Sequence, residues 1–482
     1  MNAAPLLPLL LGALSLSSAT ASSASLEKPR LFVLTDIGAD PDDTQSLVRL
    51  LTYSNEIDIE GMSATTSLPQ RTRVHPELIH EVLEAYGKVR ANLSLHDSRY
   101  PTKSALAQLV TVGAAKYGMS GVGAQQESSA SRALVRALQK QDGRPLWVTA
   151  WGGPNVLAQA LWTIRATMSA DEAARLRAKL RVYTISDQDD SGPWIRKEFP
   201  DVFYIVTPGS WGRATWMAMG RVIEGADNES ISAAWLRQNI QQGHGALGAV
   251  YPDVAYGMEG DTPSWLGLIP NGLSNMEHPD WGGWGGRYEL YLPQLAPPDP
   301  HMPPGAELRD PETRPIWTNA QDAYPPPIPP SPFAAKQQET SAPANDNFVT
   351  LWRWRGAVQN DFAARTDWTT KPYNAANHPP IARIAGSETL TVRSGQAFDL
   401  DASPSRDPDG DSLSFRWYQY PEAGTYKKVV SFQGNASNLR IVHDIVAPPV
   451  DKAETVHFIL EVTDKGSPAL TRYRRVVVNF IP

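Results

Sequence analysis

Along residues 30–206 a short apolar run repeatedly leads through a polar loop into a stretch of helical periodicity, and this alternation restricts the fold more than any other feature. Residues 30–35 form an apolar run that stops at Asp36, and residues 44–54 then place Leu47, Leu50 and Leu51 at helical spacing. The order returns at 59–64 with a helix over 76–86, and at 146–150 with a helix over 155–162; 181–185 and 203–206 add two further strands. Strands that alternate with helices are joined by crossovers, which predicts an α/β fold: a mainly parallel sheet flanked by helices on both faces. Ligands of such sheets bind beyond the carboxyl ends of the strands. The acidic and glycine-rich segments of this chain fall at those ends.

At 482 residues the chain exceeds what one core usually serves, so a second domain is expected. Residues 297–345 are dense in proline and poor in apolar periodicity, which predicts an extended, weakly structured insertion in the first domain. Residues 351–368 regain helical spacing and close that domain, expected over 29–376. Beyond it, short alternating strands at 389–392, 397–400, 413–417, 457–462 and 473–480 predict a small β-sandwich over 377–482.

The first 24 residues carry an apolar stretch from Leu6 to Leu16 and small residues at Ala19 and Ala21, the pattern of a secretory signal peptide, which predicts a secreted protein. Pro8, Gly12 and Ser15 interrupt the stretch, and it falls short of the roughly 20 residues that span a bilayer, so no membrane anchor is expected. There is no cysteine, hence no disulfide and no thiol nucleophile; any metal must be held by oxygen or imidazole. A net charge of -7 offers no field for phosphate backbones, which excludes a nucleic acid polymer as partner. Nothing in the sequence sets an oligomeric state.

Asp36, Asp40, Asp42 and Asp43 place four carboxylates within eight residues, between a strand and a helix. Crowded carboxylates repel one another unless a cation intervenes, and calcium accepts oxygen ligands from an irregular loop more readily than magnesium does. The same residues would also suit an acidic helix N-terminus, one Asp serving as cap. Asp187, Gln188, Asp189 and Asp190 follow the 181–185 strand, so a second acidic group is expected at the same crevice; glycoside hydrolysis needs two carboxyl groups, one to protonate the leaving oxygen and one to activate water. A polar capping loop is the alternative. Trp151, Trp194, Trp211, Trp281 and Trp284 accompany these loops and could stack on sugar rings. His244 lies in a glycine-rich loop, a setting more often structural than catalytic.

The segment from Thr35 to Asp43 resembles the N-terminal signature of the inosine-uridine nucleoside hydrolase superfamily, in which a strand ends in a run of aspartates that binds calcium and sugar hydroxyls. The resemblance extends through Ala64 to Ser67, through Thr149 to Asn155, and through Glu259, Gly260 and Asp261. It implies Asp36, Asp40, Asp43, Asp261 and the Trp151 carbonyl as ligands of Ca2+, and Asp42 as a sugar-binding residue. Gly38 stands where the superfamily has its second aspartate, and Gly260 where it often has a histidine that protonates the leaving group. The runs 36–43, 185–196 and 282–288 resemble more closely a divergent branch, the secreted nucleoside-hydrolase-like proteins described as cellulose-binding, which add a C-terminal Ig-like domain.

This resemblance implies a nucleoside-hydrolase-like body, an Ig-like β-sandwich and a carbohydrate partner. The expected activity is a glycosidase that cleaves a glycosidic, even furanosidic, bond of a plant-polysaccharide-derived substrate. Asp40, Asp36 and Asp190 are its expected catalytic residues. Asp42, Asp187, Gln188, Trp194, Glu259, Trp284 and Arg287 are the expected substrate contacts. A non-catalytic carbohydrate-binding protein and a true nucleoside hydrolase are the rival readings.

Overall fold

The computed structural model describes residues 27–209, 215–223, 226–295, 310–324, 344–432 and 438–482. The proposed leader, residues 1–24, lies outside the described residues, as does Trp211. Among the described residues no helix is long and apolar enough to cross a membrane.

The body is built on an eight-stranded sheet: β1 (Arg30–Thr35), β2 (Asp58–Ala64), β3 (Val110–Val112), β4 (Leu146–Ala150), β5 (Leu180–Thr184), β6 (Phe203–Val206), β7 (Tyr288–Tyr291) and β8 (Ile316–Asn319). Their spatial order is β3-β2-β1-β4-β5-β6-β8-β7. Every pairing is parallel except that of β7 with β8. The chain winds outward from β1 through β2 to β3, then returns and winds the other way from β4, so the crossovers diverge between β1 and β4. That switch point leaves a crevice above the carboxyl ends of these two strands, because neither neighbouring crossover covers it. The loops that enter it begin at Asp36 and Trp151.

The pleat explains why Leu31 to Leu34 of β1 are all apolar. Leu31 and Val33 face one core and Phe32 and Leu34 face the other, all fully buried. Helices cover both faces, among them Asp42–Thr52 and Pro76–His96 against the first core and Ser129–Gln139 and Asn155–Thr167 against the second. The helix expected over 76–86 thus continues to His96. The proline-rich stretch departs from the expected weak structure: residues 310–324 supply β8 to the central sheet, with Ile316 in its core, and then β9 (Asp322–Tyr324), which pairs with β10 (Ala344–Asp346). Proline spacing concealed a strand of only four residues.

The C-terminal β domain has a four-stranded sheet in the order β11-β16-β15-β13 and a two-stranded sheet of β12 and β14. These are β11 (Thr389–Arg393), β12 (Ala397–Asp401), β13 (Ser414–Gln419), β14 (Ile441–Val446), β15 (Glu454–Thr463) and β16 (Thr471–Ile481). Both sheets contribute to one core, in which Leu400, Val442 and Ile445 meet Trp417, Phe458 and Phe480. The outer face of the larger sheet is not free, since Tyr418, Tyr420, Ile459 and Tyr473 belong to the core of the body.

Ionic contacts cross the same junction. Asp361, on the helix Arg355–Asp367, accepts from Arg472 of β16, from Arg365 at 3.1 Å and from the Tyr53 hydroxyl at 2.7 Å. Asp322 accepts from Arg287 at 2.6 Å, from Arg353 at 3.0 Å and from the Tyr420 hydroxyl.

Candidate functional site

The carboxylates after β1 are placed by local turns. Ala39 N–H donates to the Asp36 carbonyl at 3.0 Å, and Gly38 takes φ +98°, which a side chain would oppose. The helix Asp42–Thr52 has Pro41 at its N-cap position, and Asp40 Oδ1 accepts from the first helical N–H, of Asp42, at 3.3 Å, so an aspartate side chain does serve the helix start. Asp42 and Asp43 do lie in the first turn, where the helix dipole favours negative charge. Thr35 Oγ1 donates to Asp43 Oδ1, and Asp43 N–H donates to Asp42 Oδ1 at 2.9 Å.

Asp261 reaches the same place from the other end of the body. Gln45 accepts from Glu259 N–H at 2.9 Å, and Ser46 and Thr262 share a hydroxyl contact at 3.0 Å. Arg49 forms a buried ion pair with Glu259, which also accepts from Tyr251 and Thr262 at 2.8 Å each. The helix after β1 therefore clamps the loop that carries Asp261 through Gln45, Ser46 and Arg49. Glu259, expected to touch substrate, has its carboxylate fully engaged in this clamp; it positions Asp261 instead.

The resulting cluster is short of positive charge. Asp40, Asp42 and Asp43 bring carboxylate oxygens within 4.8 Å of one another, and no basic side chain among the described residues pairs with them. Burial, with the repulsion of Asp40, pushes Asp36 up to about 6. Burial and the charges of its neighbours push Asp42 and Asp43 well above the usual carboxylate range. Asp261 is raised in the same way by burial and then by Asp42, Asp43, Asp36 and Asp40, and its buried Oδ2 has no hydrogen-bond partner among the described residues. A donor set of oxygen anions with an orphaned buried oxygen fits a hard divalent cation. The Trp151 carbonyl accepts from Gln188 Nε2, which leaves it a second lone pair.

A second acid stands across the Trp151–Gly153 turn. Gly152 lies against Asp36, where a Cβ would come within 2.7 Å of Asp36 Oδ1, and a Cβ on Gly153 would strike Asp189 Oδ2. One dipeptide thus separates the two carboxylates, and glycine is required at both positions. Asp189 is fully buried; its Oδ1 accepts from Ser191 N–H at 2.8 Å and from the Ser191 hydroxyl, while Oδ2 has no partner among the described residues. Burial pushes it up to about 7 despite the Ser191 bonds. Sequence alone favours its neighbours over Asp189. The i, i+2 spacing of two acids after a strand is the only clue to it.

The neighbours have other tasks. Arg196 Nη1 and Nη2 donate to Asp187 at 2.8 Å each, a buried bidentate pair. Asp190 is exposed and accepts from Met119 N–H at 2.8 Å, which pins the 117–123 loop. Trp194 is half-buried in a separate cleft of about 470 Å³ with Asp190, Lys197 and Arg314. Trp284 is fully buried in the core and Arg287 is held by Asp322, Glu289 and the Gln321 carbonyl, so both serve the junction with the β domain and not the acidic crevice. Trp281 is half-buried and stacked on His278 at 4.3 Å. His244 lies near Asp367, 3.5 Å away, and does not join the cluster.

One aromatic residue of the crevice carries no signal in the sequence. Trp216, in the short turn Thr215–Ala218, places Cε3 and Cζ3 each 3.0 Å from where a Cβ on Gly260 would stand, with Asp42 Oδ2 2.7 Å from the same point.

A doubly wound parallel sheet with an oxygen-rich crevice at its switch point defines a nucleoside-hydrolase-like α/β protein. Residues 30–288 match the family model described as cellulose-binding Sde182, nucleoside hydrolase-like domain, and residues 397–480 match that of the cellulose-binding protein Sde0182, C-terminal domain. The chain belongs to this family. A solved structure, a nucleoside hydrolase-related hypothetical protein from Saccharophagus degradans that is associated with carbohydrate metabolism, is 34% identical over 94% of this chain and 100% of its own, with a TM-score of 0.78. No curated protein matches the chain.

Proposed function

We propose that the chain is a secreted, calcium-dependent hydrolase of a glycosyl bond in a plant-polysaccharide-derived carbohydrate. The observation that carries this reading is the set of buried, mutually repelling carboxylates at the sheet's switch point, with no basic side chain pairing them among the described residues. Asp36, Asp40, Asp43, Asp261 and the Trp151 carbonyl would hold Ca2+. A divalent ion there would supply the positive charge that offsets their repulsion and polarises a reacting oxygen.

The chain's own residues divide the remaining work. Asp42, half-buried at the mouth, accepts from sugar hydroxyls. Asp36, raised to about 6, takes a proton from the attacking water. Asp189, raised to about 7, carries a proton near neutral pH, but it is fully buried behind the Gly152–Gly153 turn and supports the Trp151 loop without reaching a leaving oxygen. Asp190, which is exposed and bound to the Met119 N–H, is tied to another loop, so the leaving oxygen takes its proton from solvent.

A second reading, a cellulose-binding protein without turnover, is favoured by Gly260 at the place of the superfamily's acid and by the family's description. The test is to incubate purified protein with nucleosides, aryl furanosides and plant polysaccharides, with calcium and with chelator. Calcium-dependent release of sugar from a carbohydrate supports the hydrolase. Retention on insoluble polysaccharide with no product selects the binding protein, and turnover of nucleosides alone contradicts both.

A further inference from the structure

We propose that Trp216 is the sugar platform of the acidic crevice, and that the pairing of Trp216 with Gly260 selects carbohydrate over nucleobase-bearing substrates. The inference rests on the reading of the crevice as a carbohydrate site, and extends it to the residue that sets the substrate class.

Three observations carry it. The edge of the Trp216 six-membered ring rests on Gly260 at the point where Asp42 Oδ2 also approaches, so an aromatic ring and a carboxylate meet at one position. Aromatic faces take the C–H face of a pyranose or furanose while adjacent carboxylates accept from its hydroxyls. Secondly, any side chain at position 260 would have to displace both Trp216 and Asp42; the absence of the superfamily's histidine is therefore linked to the presence of this tryptophan. Thirdly, Trp216 is half-buried, so part of its ring faces solvent.

The ring is also held in place before any ligand arrives. Arg355 donates to the carbonyls of Ala218 and Met219, and Thr215 donates to Asn319 at the end of β8 at 2.8 Å. A platform fixed at both ends of its turn loses little entropy on binding. Asn319 comes from the proline-rich stretch, so that segment supports the site from behind.

The experiment is calorimetric titration of the full chain with cellohexaose, and separately with inosine, comparing wild type, Trp216→Ala, Trp216→Phe and Gly260→His. Trp216→Ala is expected to weaken cellohexaose binding by about tenfold or more, and Trp216→Phe, which keeps a smaller ring, by a few-fold. Gly260→His is expected to abolish it. Unchanged thermal midpoints in Trp216→Phe keep the comparison meaningful if Gly260→His fails to fold. Trp216→Ala that binds cellohexaose as wild type does, or wild type that prefers inosine, overturns the inference. Trp216-dependent binding in a protein that releases no product upholds it while removing the hydrolase reading.

Discussion

Two regions of this molecule bury negative charge and treat it in opposite ways. At the junction with the β domain, Asp361 faces Arg472 and Arg365, and although burial raises it, the two cations bring it down to about 2. At the mouth of the sheet, Asp36, Asp42, Asp43 and Asp261 are withdrawn from water and face one another, and every one of them is raised. The chain does not lack arginines, since Arg49, Arg287, Arg353 and Arg365 are all buried within ion pairs elsewhere. Compensated acids hold the domains together; uncompensated acids store repulsion that a ligand can relieve.

The sharpest way to break this contrast is to remove one acid from each region. Asp361→Ala leaves Arg472 and Arg365 without their shared partner and is expected to destabilise the fold by roughly 3–5 kcal/mol. Asp261→Asn, measured by thermal unfolding in chelator, is expected to leave stability unchanged or raised, because a repelling charge is lost. Equal destabilisation by both would erase the distinction.

A pH series separates the regions next. Asp189 is raised from 3.8 to about 7 in the folded protein, so the native state binds its proton more tightly than the unfolded chain does. Its contribution to stability is present below 3.8 and is lost as pH rises through that window to 7. Asp361 behaves inversely, since its contribution is present above 3.8 and is lost as pH falls through about 2. Unfolding free energies from urea titrations in chelator should therefore decline between about pH 4 and pH 7, Asp189 contributing at most about 1.4 kcal/mol per pH unit for the one proton it gives up. Asp189→Asn should reduce the decline by that one proton's share, the remainder coming from Asp36, Asp42, Asp43 and Asp261, which are raised as well.

A smaller change tests the wall between the acids. Gly153→Ala drives a methyl into Asp189 Oδ2 and is expected to lower kcat about tenfold with little change in KM. The smallest effect is expected on the surface, where Arg165 and Glu198 pair at 2.9 Å in solvent; Arg165→Ala should shift stability by less than about 0.5 kcal/mol in either direction.

Much of the body was legible because its signals are local. The largely apolar β1, β4 and β5, and the helices that follow β1 and β4, announce a covered parallel sheet at short range. The features that escaped depend on distant partners. β8 is four residues in a proline-rich setting and becomes a strand because β6 and β7 offer it two edges. Glu259 reads as a site residue beside Asp261, but Arg49, 210 positions earlier, claims its carboxylate. Asp189 and Asp190 are equivalent on paper; a glycine at 153 and a backbone N–H at Met119 decide which is buried and which is tied down. Trp216 lies in no recognisable motif, and only its contact with Gly260 reveals it.

Titration of calcium into chelator-stripped protein, followed by calorimetry, tests the central claim most directly. The account predicts one ion per chain for wild type, with proton release below pH 7, and loss of that binding in Asp43→Asn and Asp261→Asn. Wild type that takes up no calcium, or variants that bind it as tightly as wild type, would contradict it.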